Sequence, residues 1–349
     1  MRIAVCHPQT PFVKGGAETH TEALVRALKA SGHDAELVVV AGKWYPATEL
    51  IHQMAVWRAL DLSESNGLPI DAIVALKFPA YLIAHERKIV WLIHQHRSAY
   101  ELWDHPDYAD LSRQDEGRAA RDMVWRSDRI ALGEAKRIFT NSRNVQERLW
   151  NSTRLPSEVL YHPSPITEAL LGREPGGYGD SILFPSRLEG LKRQSLVVEA
   201  MRHVRTGVRL TLVGSGPDEP AIREQIREHG LGSKVSLQVG LPDEPLYDLF
   251  LGALGVYFGP FDEDYGYVTL EGMAAHRPVV TLSDSGGPLE FVADGETGLV
   301  TPPEPKTIAE AFDRLYSDRA LAKKLGTAGH ERLRATVPGW PEVVARLLG

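Results

Sequence analysis

Short apolar runs, each bounded by polar or turn-forming residues, recur along this chain and alternate with stretches whose apolar positions repeat at helical spacing. Residues 2–6 and 35–40 read as strands, with a helix over 17–31 between them. Residues 71–75, 88–93, 137–141 and 158–162 continue the strand series. This βαβ rhythm predicts a parallel sheet covered by helices. After His162 the chain turns rich in proline and glycine, with Pro163, Pro165, Pro175, Gly176, Gly177 and Gly179, which marks a linker before Asp180. A second series follows at 181–184, 208–213, 234–239, 254–258 and 278–282. The pattern predicts two α/β domains, residues 1–165 and 166–334, and a last amphipathic helix within 335–349.

Bulk properties narrow the setting. A chain of 349 residues suits two domains, each able to bury its own core. The single cysteine, Cys6, excludes an intrachain disulfide framework and points to a reducing cytoplasm. The apolar start Ile3-Ala4-Val5-Cys6 is cut off by His7-Pro8, unlike a signal peptide, and no apolar run reaches the roughly 18 residues a membrane span requires. A soluble protein is expected. A net charge of −7 argues against nucleic acid as a partner. One local exception is the arginine- and lysine-rich region 113–154, which reads either as a solvated helix surface or as a face that docks peripherally on anionic lipid.

The most telling segment lies between the strand-like runs 254–258 and 278–282. Glu263 and Glu271 stand eight positions apart there, around Tyr265-Gly266-Tyr267. If Gly266 ends a loop and Tyr267 opens a helix, backbone N–H groups and the helix dipole face a ligand, with carboxylates on either side. Such a patch offers acceptors to sugar hydroxyls and donors to anionic oxygens. Arg187 and Lys192 follow the first strand of the second series, where a forked and a compact cation suit phosphate; Arg193 is the neighbouring alternative to Lys192. Gly15 and Gly16, just before the first helix, let backbone approach an anion, although a tight turn would use the same residues. Val213-Gly214-Ser215-Gly216-Pro217 lacks the third glycine of a dinucleotide fingerprint, so NAD is discounted. His94 ends the apolar run 88–93, and His96 follows it without a third metal ligand at a telling spacing. The aromatic residues Trp44, Tyr45, Trp91, Tyr100, Trp103 and Tyr108 read mostly as core, with the aromatic-rich loop after His96 as the part best suited to stack on a ligand.

Together with Pro278-Val279-Val280-Thr281, Asp284-Ser285-Gly286-Gly287-Pro288-Leu289-Glu290 and Asp294-Gly295-Glu296-Thr297-Gly298, these residues resemble the C-terminal half of the retaining glycosyltransferases of family four, and the resemblance extends over nearly the whole chain. It implies the GT-B architecture, two facing Rossmann-like doubly wound domains with an interdomain cleft, the last helix crossing back to the first domain. The donor would be a nucleoside-diphosphate sugar, held mainly by the second domain. The acceptor would be a carbohydrate, a lipid-linked sugar or a small metabolite. The resemblance further implies that Arg187 and Lys192 stabilise the leaving diphosphate, Glu263 and His94 contact the donor sugar, and Glu271 binds the ribose hydroxyls. Gly15 and Gly16 would meet the diphosphate, and the backbone of Tyr265, Gly266 and Tyr267 would complete the sugar site. Transfer would retain anomeric configuration, the diphosphate itself taking the acceptor proton, and no cofactor or metal is expected. Asp262-Glu263-Asp264 contains Asp-x-Asp, a metal-holding motif of an unrelated glycosyltransferase fold, and is read as coincidence. Tyr265 stands where the family usually has phenylalanine. The alternatives are an epimerase or hydrolase of nucleotide sugars on the same scaffold, and a non-catalytic partner of another transferase.

Overall fold

A computed structural model describes residues 1–349. The chain divides into two units, Met1–His162 with Gly339–Gly349, and Pro163–Pro338. The first unit holds β1 (Arg2–Gln9), α1 (Gly16–Ala30), β2 (Asp34–Ala41), α2 (Ala47–Ala59), the hairpin β3 (Glu64–Ser65) and β4 (Leu68–Pro69), β5 (Ala72–Ala75), β6 (Lys88–Leu92), α3 (Gly117–Gly133), β7 (Arg137–Thr140), α4 (Arg143–Thr153) and β8 (Glu158–Val159). Its main sheet is entirely parallel, in the order β2-β1-β5-β6-β7-β8.

Alternate residues of these strands feed two cores, as the period of two requires. Ala4, Cys6, Ile73, Ala75 and Val90 face Leu50, Met54 and Trp57 of α2 and Val124 of α3. Ile3, Val5, Val74, Ile89 and Trp91 face Leu24 and Leu28 of α1. Trp340, Val343, Val344 and Leu347 of the C-terminal helix complete that second face, though they come from the far end of the chain. Its backbone is also tied to the unit, Arg87 donating to Leu348 O at 3.0 Å and Arg137 to Arg346 O at 2.7 Å.

The second unit starts with α5 (Pro165–Leu171) and continues β9 (Ser181–Pro185), α6 (Gln194–Ala200), β10 (Arg209–Val213), α7 (Glu219–Glu228), β11 (Val235–Gln238) and α8 (Asp243–Gly252). Then follow β12 (Gly255–Tyr257), α9 (Tyr267–Ala274), β13 (Val279–Leu282), β14 (Gly298–Thr301), α10 (Pro305–Ser317) and α11 (Arg319–Thr336), and the chain ends with α12 (Trp340–Leu348), already placed on the first unit. The sheet order β11-β10-β9-β12-β13-β14 is the doubly wound 3-2-1-4-5-6 order of a dinucleotide-type fold. The order reverses between β9 and β12. In open parallel sheets that reversal opens a crevice at the strands' carboxyl ends, where ligands bind. In the first unit the corresponding point lies between β1 and β5.

Several details depart from the sequence reading: helix α2 was not anticipated, and α5 lies within the stretch read as a linker. The strand expected over 158–162 is confined to Glu158–Val159. The edge strand Gly298–Thr301 was not anticipated; it pairs in parallel with Val279–Leu282 and completes the sheet.

Candidate active site

The loops leaving β9 and β12 are stitched together at the switch point. Phe261 N–H donates to Leu191 O at 2.8 Å, joining the 3-10 turn Gly190–Lys192 to the loop before α9. Lys192 Nζ then lies 2.5 Å from Glu263 Oε2, both side chains less than one-fifth exposed. Lys192 also sits 5.7 Å from the centroid of the Phe258 ring. The next residue, Arg193, takes a left-handed φ of 57° and forks onto Asp284, Nη1 to Oδ1 at 2.8 Å and Nη2 to Oδ2 at 2.7 Å. That bidentate pair ties Arg193 to the loop of Asp284, while Lys192 is paired with Glu263. Arg187 reaches Glu189 at 2.8 Å and is 45% exposed, so its guanidinium stays accessible to an anion.

The Glu263 loop is held by the glycine pair of the β13–β14 connection. Glu263 N–H donates to Ser285 O and Gly287 N–H donates to Glu263 O, each at 2.8 Å, forming an isolated parallel bridge. A Cβ on Gly287 would stand 2.8 Å from Asp264 O and from Tyr265 Cα, too close for any side chain. Gly266 adopts φ +90° as the N-cap of α9, and a Cβ there would meet Pro288 Cγ at 2.9 Å. Backbone must therefore pass backbone here, which only glycine permits. Helix α9 begins at Tyr267 and has no acidic residue in its own first turn. Tyr265 is buried between Tyr267 and Phe291, with ring centroids 5.7 and 5.8 Å away.

Glu271 lies one turn further into α9 and is only 5% exposed. Burial pushes its carboxyl up to about 7, against the pull of one hydrogen bond, from Ser164 Oγ at 2.8 Å. Sequence reasoning missed Ser164, although Ser-Pro is a signal for a helix cap followed by N1; Asp284 was noticed only as part of the stretch 284–290, and nothing local pairs it with Arg193, 91 positions away.

In the first unit the loop from β1 enters α1 through Gly15 and Gly16. Gly15 is extended, and its N–H donates to Glu18 Oε2 at 2.8 Å, so Glu18 supplies the back-reaching half of a capping box on its own helix, glycine having no side chain for the other half. Burial would raise the Glu18 carboxyl, but His7 Nε2 at 3.2 Å and Lys77 Nζ at 3.6 Å outweigh it and hold the group at about 2. Burial also lowers His7, leaving Lys77 as the cation of the cluster. His94 lies two residues beyond β6, its Nδ1 2.6 Å from Gln95 O. Gln95 turns inward between the two histidines, donating to Asp128 Oδ2 at 2.9 Å and accepting from Ser152 Oγ at 2.8 Å.

Of the aromatic residues, Trp91 is fully buried and packs edge-on to His20. Arg121 lies 4.3 Å over Trp103 and 4.2 Å over Trp125, whereas Trp44 and Tyr45 are exposed. The glycines of Val213-Gly214-Ser215-Gly216 serve packing: a Cβ on Gly214 would overlap Ser186 O and one on Gly216 would overlap Leu188 O. No helix is long and apolar enough to cross a membrane.

Residues 179–332 match the family described as glycosyl transferases group 1. Over 236 residues the chain is 28% identical to the alpha-1,3/1,6-mannosyltransferase ALG2 of Homo sapiens, a match covering 59% of this chain and 56% of that protein. The chain thus spans little more than half of that relative's length, and 26% of the Dictyostelium discoideum protein of the same name, to which it is 34% identical over 112 residues, or 32% of its own length. Sucrose-phosphate synthase from Thermosynechococcus elongatus superposes with a TM-score of 0.75 at 18% identity, covering 99% of this chain and 97% of that one. The Anabaena protein HepE, solved in complex with UDP and glucose, gives a TM-score of 0.71 at 15% identity over 100% and 98%. At these identities the solved structures establish the fold, which is of the GT-B type.

Proposed function

We propose, from the match of residues 179–332 to the family described as glycosyl transferases group 1 and from the GT-B fold, that this chain is a retaining, metal-independent hexosyltransferase. It moves a sugar from a nucleoside diphosphate to a hydroxyl acceptor in the synthesis of a glycan, glycolipid or glycoconjugate. The observation that carries this reading is the meeting of Lys192 and Glu263 at the sheet's switch point, beside a helix start with no acid of its own.

In this reading Arg187, Lys192 and the first amides of α9 receive the diphosphate, where negative charge grows as the bond to the anomeric carbon breaks. When the phosphate takes Lys192, the Glu263 carboxylate is released to accept from the sugar hydroxyls. The acceptor oxygen bonds to the anomeric carbon on the face the diphosphate leaves, and its proton passes to the departing phosphate oxygen. Glu271 binds the ribose hydroxyls, and the backbone of Tyr265, Gly266 and Tyr267 borders the sugar. His94 is assigned to the sugar hydroxyls, and Gly15 and Gly16 to the diphosphate. The setting is cytoplasmic, at the inner membrane face. Exposed Met123, Trp125 and Ile130 of α3 stand among exposed Arg118, Arg126 and Arg129, a combination suited to anionic lipid.

The test is a thermal-shift panel of UDP, GDP, ADP and their sugars in EDTA, since a ligand specific to the native state raises its apparent stability. Stabilisation by one nucleotide, lost in Arg187→Ala, is expected. No shift at millimolar ligand would contradict the donor reading.

A further inference from the structure

Ser164 and Glu271 are 107 positions apart, yet the serine hydroxyl meets the carboxylate directly. We infer that Ser164 is the positioning residue that orients Glu271 as acceptor for the vicinal hydroxyls of the donor's ribose. The inference rests on the donor reading above.

Ser164 is 1% exposed and its hydroxyl is saturated. Its Oγ accepts from Thr167 N–H at 3.0 Å, capping α5, and lies 3.0 Å from Thr167 Oγ1. Its one proton goes to Glu271 Oε1 at 2.8 Å. A hydroxyl has one proton and two lone pairs, and all three are used. Pro165 at the first helical position lacks an N–H, so the cap is not diverted to it.

This geometry leaves Glu271 half engaged. Oε1 is fixed by Ser164, while Oε2 makes no hydrogen bond within the chain and is not a sealed-off atom. Two adjacent hydroxyls carry two donors, which suits a carboxylate pinned at one oxygen and open at the other. The other groups facing it are Tyr247 from α8 and Tyr267 from its own helix, with no cation among them. Burial pushes the carboxyl up to about 7 and Ser164 supplies the opposing pull. Removing the hydroxyl therefore raises the group further and favours the protonated form, which is a poorer acceptor at neutral pH.

The test is calorimetric titration of the whole chain with UDP, GDP and ADP between pH 6 and 9, each beside its 2′,3′-dideoxy counterpart. Ser164→Gly removes the hydroxyl yet keeps a residue that caps helices well. For the nucleotide that binds, affinity is expected to rise with pH through about 7 in the unsubstituted protein. In Ser164→Gly the midpoint is about one unit higher, so affinity at pH 7 falls roughly 5-fold as the ionised fraction drops. Ser164→Thr restores both, and the dideoxy compound binds all three proteins alike. Equal losses for the nucleotide and its dideoxy counterpart, or an unmoved midpoint, would overturn the role of Ser164 while leaving the donor reading intact. Absence of binding by every diphosphate in the unsubstituted protein would overturn both.

Discussion

Each unit has a helix starting beside its sheet's switch point, and the two starts are finished differently. In the first, Glu18 folds back on the beginning of α1, takes the Gly15 N–H at 2.8 Å, and is held at about 2 by His7 and Lys77 despite burial. In the second, α9 starts at Gly266 without an acid in its first turn, and its buried acid, Glu271, has a neutral serine for a partner and is pushed up to about 7. A carboxylate given a cation and backbone donors spends its capacity on the fold. One left with a single neutral donor has an oxygen to spare, which in the proposed function goes to the ribose hydroxyls.

Five substitutions probe that contrast. The largest effect is expected on donor turnover: Glu263→Ala or Lys192→Ala should lower it by about 10²–10³-fold, comparable with loss of one charge-stabilising group. The double variant should cost little more than either single one if the two act as a unit, which steady-state kinetics will show. Next, Glu18→Gln should lower stability at pH 7 by about 3 kcal/mol, read by urea unfolding. Because the Glu18 carboxyl is depressed in the fold, its contribution is present above pH 4.5 and is lost as pH falls toward 2, so the two proteins should converge in acid.

Glu271→Gln should act in the opposite sense. Its carboxyl is raised in the fold, so its stabilising contribution is complete below pH 4.5 and is lost as pH rises through about 7. The glutamine variant should escape that loss, being more stable than the parent by about 2 kcal/mol at pH 8 while binding nucleotide more weakly. An unchanged pH dependence of the melting temperature would remove the distinction between the two acids. A smaller change is expected from Lys77→Met, which should destabilise the protein less than Glu18→Gln and move the Glu18 titration upward, visible by carboxyl NMR.

The sheets were largely legible because parallel strands covered on both faces are continuous apolar runs; all four residues of Ala72–Ala75 are buried. Helix α2 was not read, since Ala55 and Val56 are exposed beside buried Met54 and Trp57 and blur the apolar stripe. Strand Gly298–Thr301 is four residues long and starts with the glycine that ends a turn-rich stretch, so no long run announced it. The site residues Glu263, Glu271, Arg187 and Lys192 stood out by type and spacing. Their partnerships did not, because Lys192 with Glu263 spans 71 positions and Ser164 with Glu271 spans 107, and no local pattern carries such a pairing. Gly214 and Gly216 imitated a phosphate loop for a steric reason, the close passage of the chain over Ser186 and Leu188.

The most direct measurement is a carboxyl NMR titration of selectively labelled glutamates, with and without saturating nucleoside diphosphate. The account predicts that Glu18 titrates near 2 in both samples, while Glu271 titrates near 7 alone and moves down when ribose hydroxyls donate to it. A Glu271 midpoint in the ordinary carboxylate range, or one that stays at 7 with nucleotide bound, would contradict it.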